Sequence, residues 1–300
     1  DLLLWIGAIT AVMAVIWALA QRDAKRLLAY HSISQMGYVL AAFGAAGAVS
    51  SVAAFAHAMH HALFKSLLFL VAGTAIHMTG KRNLYEMAPI GRRAPVLSIA
   101  FLVGALSIAG VPPFNGFASK QLISNALGGS PAYILLWITA VGTTASFIKI
   151  SRIVMPGPRE HASATAIRSR PGPGFLIHVP VVILALASLA TGLFARPVAT
   201  TLVSLLQHSV VGRAQGAGTP VAGGVDAVRA LAQIPPTFFS AGTLLSAVPI
   251  LLLGVALYLL VATPGGKLAA KRIERIAPEL RTVLLFFVLG LGVFALVAYL

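Results

Sequence analysis

Long apolar stretches separated by short basic segments organise this chain, and their lengths cluster near what a membrane crossing requires. A helix needs roughly 20 consecutive apolar residues to span the hydrocarbon. Eight stretches qualify: about 2 to 20, 27 to 48, 52 to 78, 95 to 127, 131 to 153, 175 to 195, 241 to 262 and 282 to 300. Their Leu, Ala, Val and Ile follow one another without the two-residue alternation of a membrane β-strand, so all eight read as helices. The expected fold class is therefore all-α, a polytopic membrane helical bundle with about eight transmembrane helices. The fourth stretch is too long for one straight crossing and contains Gly110-Val111-Pro112-Pro113, followed by Gly116. A proline pair deletes two backbone donors, which lipid tolerates only where the freed groups face protein or water. One interrupted crossing, a discontinuous helix at Pro112, Pro113 and Gly116, is the expectation.

Composition narrows the class further. Of 300 residues 58% are hydrophobic and 10% charged, with a mean hydropathy of +0.92, whereas average soluble chains carry about 25% charge. Cysteine is absent, which excludes disulfide frameworks, thiolate metal sites and cysteine nucleophiles. A net charge of +15 would suggest nucleic acid in a soluble protein, but here it is first a topology signal, and no nucleic-acid partner is expected. Counting one crossing per stretch puts loops 21 to 26, 79 to 94, 154 to 174 and 263 to 281 on one side with fifteen Lys and Arg, against Arg196, Arg213 and Arg229 on the other. The richer side is assigned to the cytoplasm of an inner (plasma) membrane. The segment 196 to 240 reads as a long outer connection, Gly-rich from Gly212 to Gly224, with a short surface helix from Val225 to Ile234. The start at Asp1 inside an apolar stretch, without Met or a basic leader, is what a piece of a longer protein would show.

Eighteen loop cations leave Lys65, Lys120, Lys149 and Arg152 inside the crossings, while all seven acids fall at ends or in loops. A cation in hydrocarbon costs at least about 2.5 kcal/mol, so it is expected to face a bundle interior or a wet cavity and to act there. In the third stretch His57, His61 and Lys65 recur every four residues and climb one helix face, with His60 beside them. Imidazole both donates and accepts, so this ladder suits a proton relay. A zinc site is the rival, because His at i and i+4 is a metal spacing, although no acid or cysteine completes a ligand set. Hydrogen bonding between helices is the bland alternative. Lys120 follows the proline break, where exposed carbonyls can hold an ion or water beside a titratable group; snorkelling to the interface is its competitor. Lys149 stands evenly between relay and snorkelling, and Arg152 reads as structural. His31, just after the loop holding Lys25, could pass protons to the cytoplasm, and Lys25 could join either the relay or the loop charge. His77 could extend the relay at a helix end. His161, His178 and His208 carry no pattern. The basic loop 267 to 281, with Glu274 and Glu279 interleaved, could contact anionic lipid headgroups, though an orientation anchor suffices.

Three segments, QRDAKRLLAYHSISQMGYVL from 21 to 40, HAMHHALFKSLLFL from 57 to 70 and FLVGALSIAGVPPFNGFASKQLI from 101 to 123, resemble the second half of the antiporter-like proton-pumping subunits of respiratory complex I. The likeness extends to membrane-bound hydrogenases of the formate hydrogenlyase and hydrogenase-4 type and to Mrp-type cation/proton antiporters. It is good from about 1 to 195 and thin beyond. The resemblance implies two inverted five-helix repeats per subunit, each with a discontinuous helix, and a hydrated axis of lysines and histidines. It implies relay roles for His57, His61, Lys65 and Lys120, and places Lys25 in a cytoplasmic-edge motif; His60 and His31 are additions or variants. On that reading residues 1 to 153 are the second repeat and 154 to 300 are C-terminal transmembrane helices with the outer loop 196 to 240, the first repeat lying outside this sequence.

The expected function is a proton-translocating membrane subunit of a redox-driven complex, partnered by other membrane subunits and by lipids. No nucleotide, flavin or iron–sulfur motif is present, so no cofactor is expected and the chain is not itself the electron-transfer catalyst. An Mrp-type Na⁺/H⁺ antiporter subunit and a structural membrane scaffold are the alternatives.

Overall fold

The computed structural model describes residues 2 to 155, 172, 174 to 215 and 238 to 276. Among them are ten α-helices and no strand: α1 Leu2–Ala20, α2 Ala24–Gly44, α3 Ala48–Thr79, α4 Pro95–Ala109, α5 Asn115–Leu127, α6 Ala132–Ile150 with a 3-10 turn Ser151–Ile153, α7 Phe175–Leu193, α8 Ala195–Gln215, α9 Ala241–Ala262 and α10 Pro264–Ile276. Five helical segments, Leu2–Ala20, Val49–Thr79, Ala132–Ile153, Phe175–Leu193 and Ala241–Ala262, are long and apolar enough to cross a membrane. The chain is thus a polytopic membrane bundle. α2 has the length but not the apolarity, because Lys25, Arg26, His31 and Gln35 lie on it; its buried face is turned to other helices rather than lipid. The eighth expected crossing, the surface helix 225 to 234, and His161 lie outside the described residues.

Two large apolar clusters, beside a smaller one that joins Ala14 and Ala18 of α1 to Tyr30 and Ile33 of α2, divide the bundle along its length. One joins Leu4 and Ala8 of α1, Tyr38 to Ala42 of α2, Val49 to Ala56 of α3, Leu122 and Leu127 of α5 and Leu136 of α6. The other joins Leu27 and Leu28 of α2, Phe64 to Met78 of α3, Leu97 to Ile108 of α4 and Phe147 and Ile150 of α6. Successive helices enter these clusters in alternating order, which is the signature of an up-and-down bundle. α4 packs beside one half of α3 and α5 beside the other, so 95 to 127 forms a single interrupted crossing, as expected. Loops 21–23 and 80–94 and helix α10 gather at the end of the second cluster, the basic end; among the described residues the opposite end carries Arg196.

Three expectations about boundaries need correction. The second and third crossings were separated at 49 to 51, but the turn lies at Ala45 to Gly47, where Ala46 takes a φ of 52° and Gly47 N–H donates to Ser50 Oγ at 2.8 Å. A turn made of Ala and Gly leaves no mark on hydropathy. The outer segment 196 to 240 begins as helix α8, whose Ala195, Ala199 and Val203 recur every four residues and are buried in the first cluster. The basic loop 263 to 281 contains α10, which docks on α1 and α9 and is tied there by Glu274 to Arg22 at 3.9 Å. Against α1, α2 comes so close that a Cβ on Gly7 would lie 2.3 Å from Ala41 N, the small-residue packing that substitutes for hydrophobic drive in lipid.

Candidate functional site

Between the two clusters lies a band of buried polar side chains. On α3 it runs from His57 to Lys65, across the change from the first cluster to the second, because four-residue spacing keeps these groups on the inner face. On α2 it is His31, Ser34 and Gln35, all fully buried. His57 is the best-connected member. Its Nδ1 lies 2.9 Å from Ser119 Oγ and its Nε2 3.2 Å from Gln35 Oε1. When neutral, the ring donates through Nε2 and accepts from the Ser119 hydroxyl. When protonated it donates through both nitrogens, and Ser119 turns its hydroxyl to the carbonyl of Asn115 at 3.3 Å or Gly116 at 3.4 Å. His57 therefore gains or loses a proton without losing a hydrogen bond.

Other members have no such protein partner. Lys65 Nζ, both ring nitrogens of His31 and of His60, and Nε2 of His61 are buried with no hydrogen-bond partner among the described residues. Lys65 Nζ stands 5.7 Å from the Phe69 ring centroid, the His61 ring meets Phe64 edge-on, and the His31 ring lies 4.9 Å from Phe147. The described acids Asp23, Glu86 and Glu274 are each engaged with an arginine or lysine at the basic end, so none neutralises this band.

The break between α4 and α5 is shaped by Gly110 and Gly116. Gly110 has a φ of 78°, a left-handed cap that disfavours any side chain, and at Gly116 a Cβ would fall 1.8 Å from Ser107 O. The first turn of α5 is thereby laid against the last turn of α4. The consequence is chemical: Lys120 Nζ donates to Ile108 O at 2.6 Å, and its ammonium also stands 5.3 Å from the Tyr38 ring. Tyr38 packs on His57 as well, at 5.5 Å between centroids, and its hydroxyl donates to Leu136 O. Pro112-Pro113 is a cis peptide.

The remaining candidates divide. Lys149 is 5% exposed, and its Nζ donates to Leu19 O at 2.5 Å, Gln21 O at 2.8 Å and Ala18 O at 3.4 Å. It closes the C-terminal end of α1, where unpaired carbonyls and the helix dipole favour a cation. Lys25 is exposed; its backbone N–H is used by the N-cap Asp23 at 2.8 Å, and its side chain lies outside the band. His77 is exposed at the end of α3. Arg152 is exposed with its guanidinium 4.9 Å from the Tyr85 ring, in line with its structural reading. His178 is partly buried on α7, and the side chain of His208 is not described. Among the described residues no group of three His, Cys, Asp or Glu side chains is placed to hold a metal. Gln35, Tyr38, Asn115 and Ser119 were not among the sequence candidates, although Asn115 and Ser119 stand four apart in the motif that contains Lys120.

The fold and the band together define an integral membrane bundle built around buried, titratable cations beside a broken helix. Residues 1–148 match the family described as NADH:quinone oxidoreductase/Mrp antiporter, TM. The chain is 38% identical over 154 residues to NADH-quinone oxidoreductase subunit L of Rickettsia typhi, a match covering 51% of this chain and 23% of that protein. It is 38% identical over 146 residues to formate hydrogenlyase subunit 3 of Escherichia coli, covering 44% of this chain and 24% of the relative. Among solved structures, the Mrp complex from a Dietzia species aligns over 99% of this chain and 30% of the matched chain, with a TM-score of 0.67 at 25% identity. The chain spans about a quarter of the length of these curated relatives.

Proposed function

We propose that this chain is a proton-translocating membrane subunit of a redox-driven complex, of the NADH:quinone oxidoreductase-like or membrane-bound hydrogenase-like type, working with other membrane subunits and surrounded by lipid. Electron transfer takes place elsewhere in the complex. Residues 1 to 153 form the second antiporter-like repeat and 154 to 300 its C-terminal helices, in the plasma membrane with the basic end in the cytoplasm. The observation that carries this reading is the band itself: His31, His57, His60 and Lys65, buried between two apolar halves with the half-buried His61 beside them, and all but His57 with nitrogen atoms that have no hydrogen-bond partner among the described residues. Buried polar atoms are normally paired with protein or ordered water, so these groups call for a hydrated track.

Protons enter the band from the basic end near His31, pass between Lys65, His61 and His57, reach Lys120 at the broken helix, and leave toward the opposite end. Lys149 clamps the end of α1 beside the band; Lys25, at the surface, serves orientation. The test is Lys65→Ala in the assembled complex reconstituted into vesicles. Proton pumping should be lost while the complex still assembles, and unaltered pumping would refute the relay.

The alignment of 99% of this chain with 30% of the Mrp complex chain supports a second reading, a Na⁺/H⁺ antiporter subunit. Sodium-dependent transport that survives a protonophore would favour it over redox-driven pumping.

A further inference from the structure

His60 is the one histidine of the cluster that leaves the ladder. His57, His61 and Lys65 advance by four, whereas His60 stands about 100° from the centre of that stripe, since each residue turns the helix by about 100°. It is 1% exposed, and neither ring nitrogen has a hydrogen-bond partner among the described residues. Its neighbours are the backbone of Asn115, first residue of α5, and His57 of the ladder. On the far side of Asn115 comes α7. Asn115 Nδ2 donates to Thr191 Oγ1 at 3.3 Å, while Asn115 Oδ1 is fully buried and unpartnered. Gly192 permits the contact, for a Cβ there would lie 2.3 Å from Pro113 O and 2.6 Å from Asn115 N. Ser188, three residues before Thr191 and so near the same face of α7, is fully buried with an unpartnered hydroxyl.

These groups form a polar line that crosses from α3 through the broken helix to α7, transverse to the ladder. α7 continues at its end into Ala195, which belongs to the apolar cluster away from the basic end. We propose that His60 is a branch point through which protons leave the ladder, toward the opposite end of the bundle, along Asn115 and Thr191. A protonated His60 breaks one N–H bond and hands that proton to a water molecule accepted by Asn115 Oδ1. The imidazole is left neutral, and the proton moves on by hydroxyl and water hydrogen bonds beside Thr191. Asn115 and Thr191 are positioning residues; His60 alone on this branch changes its protonation state. The inference rests on the proton-translocating reading and names its release route.

The experiment uses the whole assembled complex in vesicles, measuring redox turnover and proton pumping together, in ordinary and heavy water. His60→Asn keeps a polar side chain but cannot titrate, and Thr191→Val keeps the shape but removes the hydroxyl. Expected are a fall in pumping of at least tenfold for His60→Asn and a several-fold fall for Thr191→Val. Thr191→Val should also raise the solvent isotope effect, which loss of mere packing would not do. Normal pumping in either variant overturns the branch, as does a loss in Thr191→Val with an unchanged isotope effect. If His60→Asn fails to assemble, Thr191→Val and its isotope effect decide alone. Lys65→Ala separates the two levels: when it abolishes pumping and the branch variants do not, the branch alone fails, and when it pumps normally the underlying reading fails.

Discussion

Lys149 and Lys65 are equally buried, each 5% exposed, and their surroundings are opposite. The ammonium of Lys149 lies among three carbonyls at the end of α1. That of Lys65 faces an aromatic ring and no hydrogen-bond acceptor. The first arrangement is what a bundle does with a lysine it uses as a clamp: the charge meets carbonyls that a helix terminus leaves unpaired anyway, so both needs are met at once. The second has no structural gain to set against its desolvation, which for a buried ion is on the order of several kcal/mol. A group kept under those terms is expected to change its charge during work. Lys120 stands between them, with one carbonyl and one aromatic face.

The sharpest way to break this contrast is to replace both lysines by methionine, which keeps the length and removes the charge. Lys65→Met should reduce pumping by about 100-fold or more, since general acid–base groups contribute about 10²–10⁴ to a rate. It should leave stability unchanged or higher by up to about 2 kcal/mol, because removing an unpaired buried charge removes its desolvation cost. Lys149→Met should do the reverse, costing about 3 kcal/mol by stranding two close carbonyls at the end of α1, those of Leu19 and Gln21, while complexes that do assemble keep most of their pumping. Thermal unfolding and vesicle pumping on the same preparations check both. The comparison collapses if Lys149→Met assembles stably and no longer pumps, for Lys149 would then be a relay member and not a clamp.

Lys120→Met sharpens the contrast from the middle. Loss of a single charge-assisted bond to Ile108 O predicts a cost of about 1.5 kcal/mol, together with loss of pumping. Smaller still is Ser119→Ala. His57 would lose the partner that lets both protonation states be hydrogen-bonded, so pumping should fall several-fold while stability changes by about 1 kcal/mol. A fall as deep as that of Lys65→Met would mean that Ser119 is an obligatory carrier rather than an adjustable acceptor.

How much of this was legible in the sequence depends on what each residue does with its own helix. His57, His61 and Lys65 declared themselves because titratable groups at four-residue spacing in an apolar run have few structural uses. Ser119, Gln35 and Tyr38 did not, since a lone polar residue in such a run most often satisfies itself. Thr139 and Thr143 of α6 do just that, donating to Leu135 O and Thr139 O at 2.8 Å. Only the packing of α2 and α5 on α3 tells the two kinds apart. Helix α8 was hidden because its buried stripe consists of small residues, Ala195, Ala199 and Val203, which barely raise the hydropathy. Helix α10 was hidden by its charge: Lys267, Lys271, Arg272 and Arg275 counted as loop cations although Lys267 and Lys271 also stand one turn apart. The broken crossing was legible because prolines act on the backbone itself, and the place of Lys120 beside Ile108 O follows from Gly110 and Gly116, which let the two half-helices overlap.

Lys25 tests the contrast at its weakest end. It lies in a motif suggestive of the relay, yet its side chain is exposed and its backbone N–H is the part in use, held by Asp23 Oδ1. Asp23 also accepts from Arg26 N–H at 3.0 Å and pairs with Arg82 at 2.9 Å. Lys25→Ala should therefore leave pumping within about twofold of the parent, with a stability change within about 0.5 kcal/mol, as for most exposed substitutions. Asp23→Ala, which removes an N-cap, should cost about 1 kcal/mol. Arg82→Ala, which breaks an exposed pair, should cost less than about 1 kcal/mol. Proton uptake from the basic side, followed at low buffer concentration, separates the possibilities: slowing in Lys25→Ala but not in Arg82→Ala would bring Lys25 back into the path, and equal rates leave it as one of the charges that orient the chain.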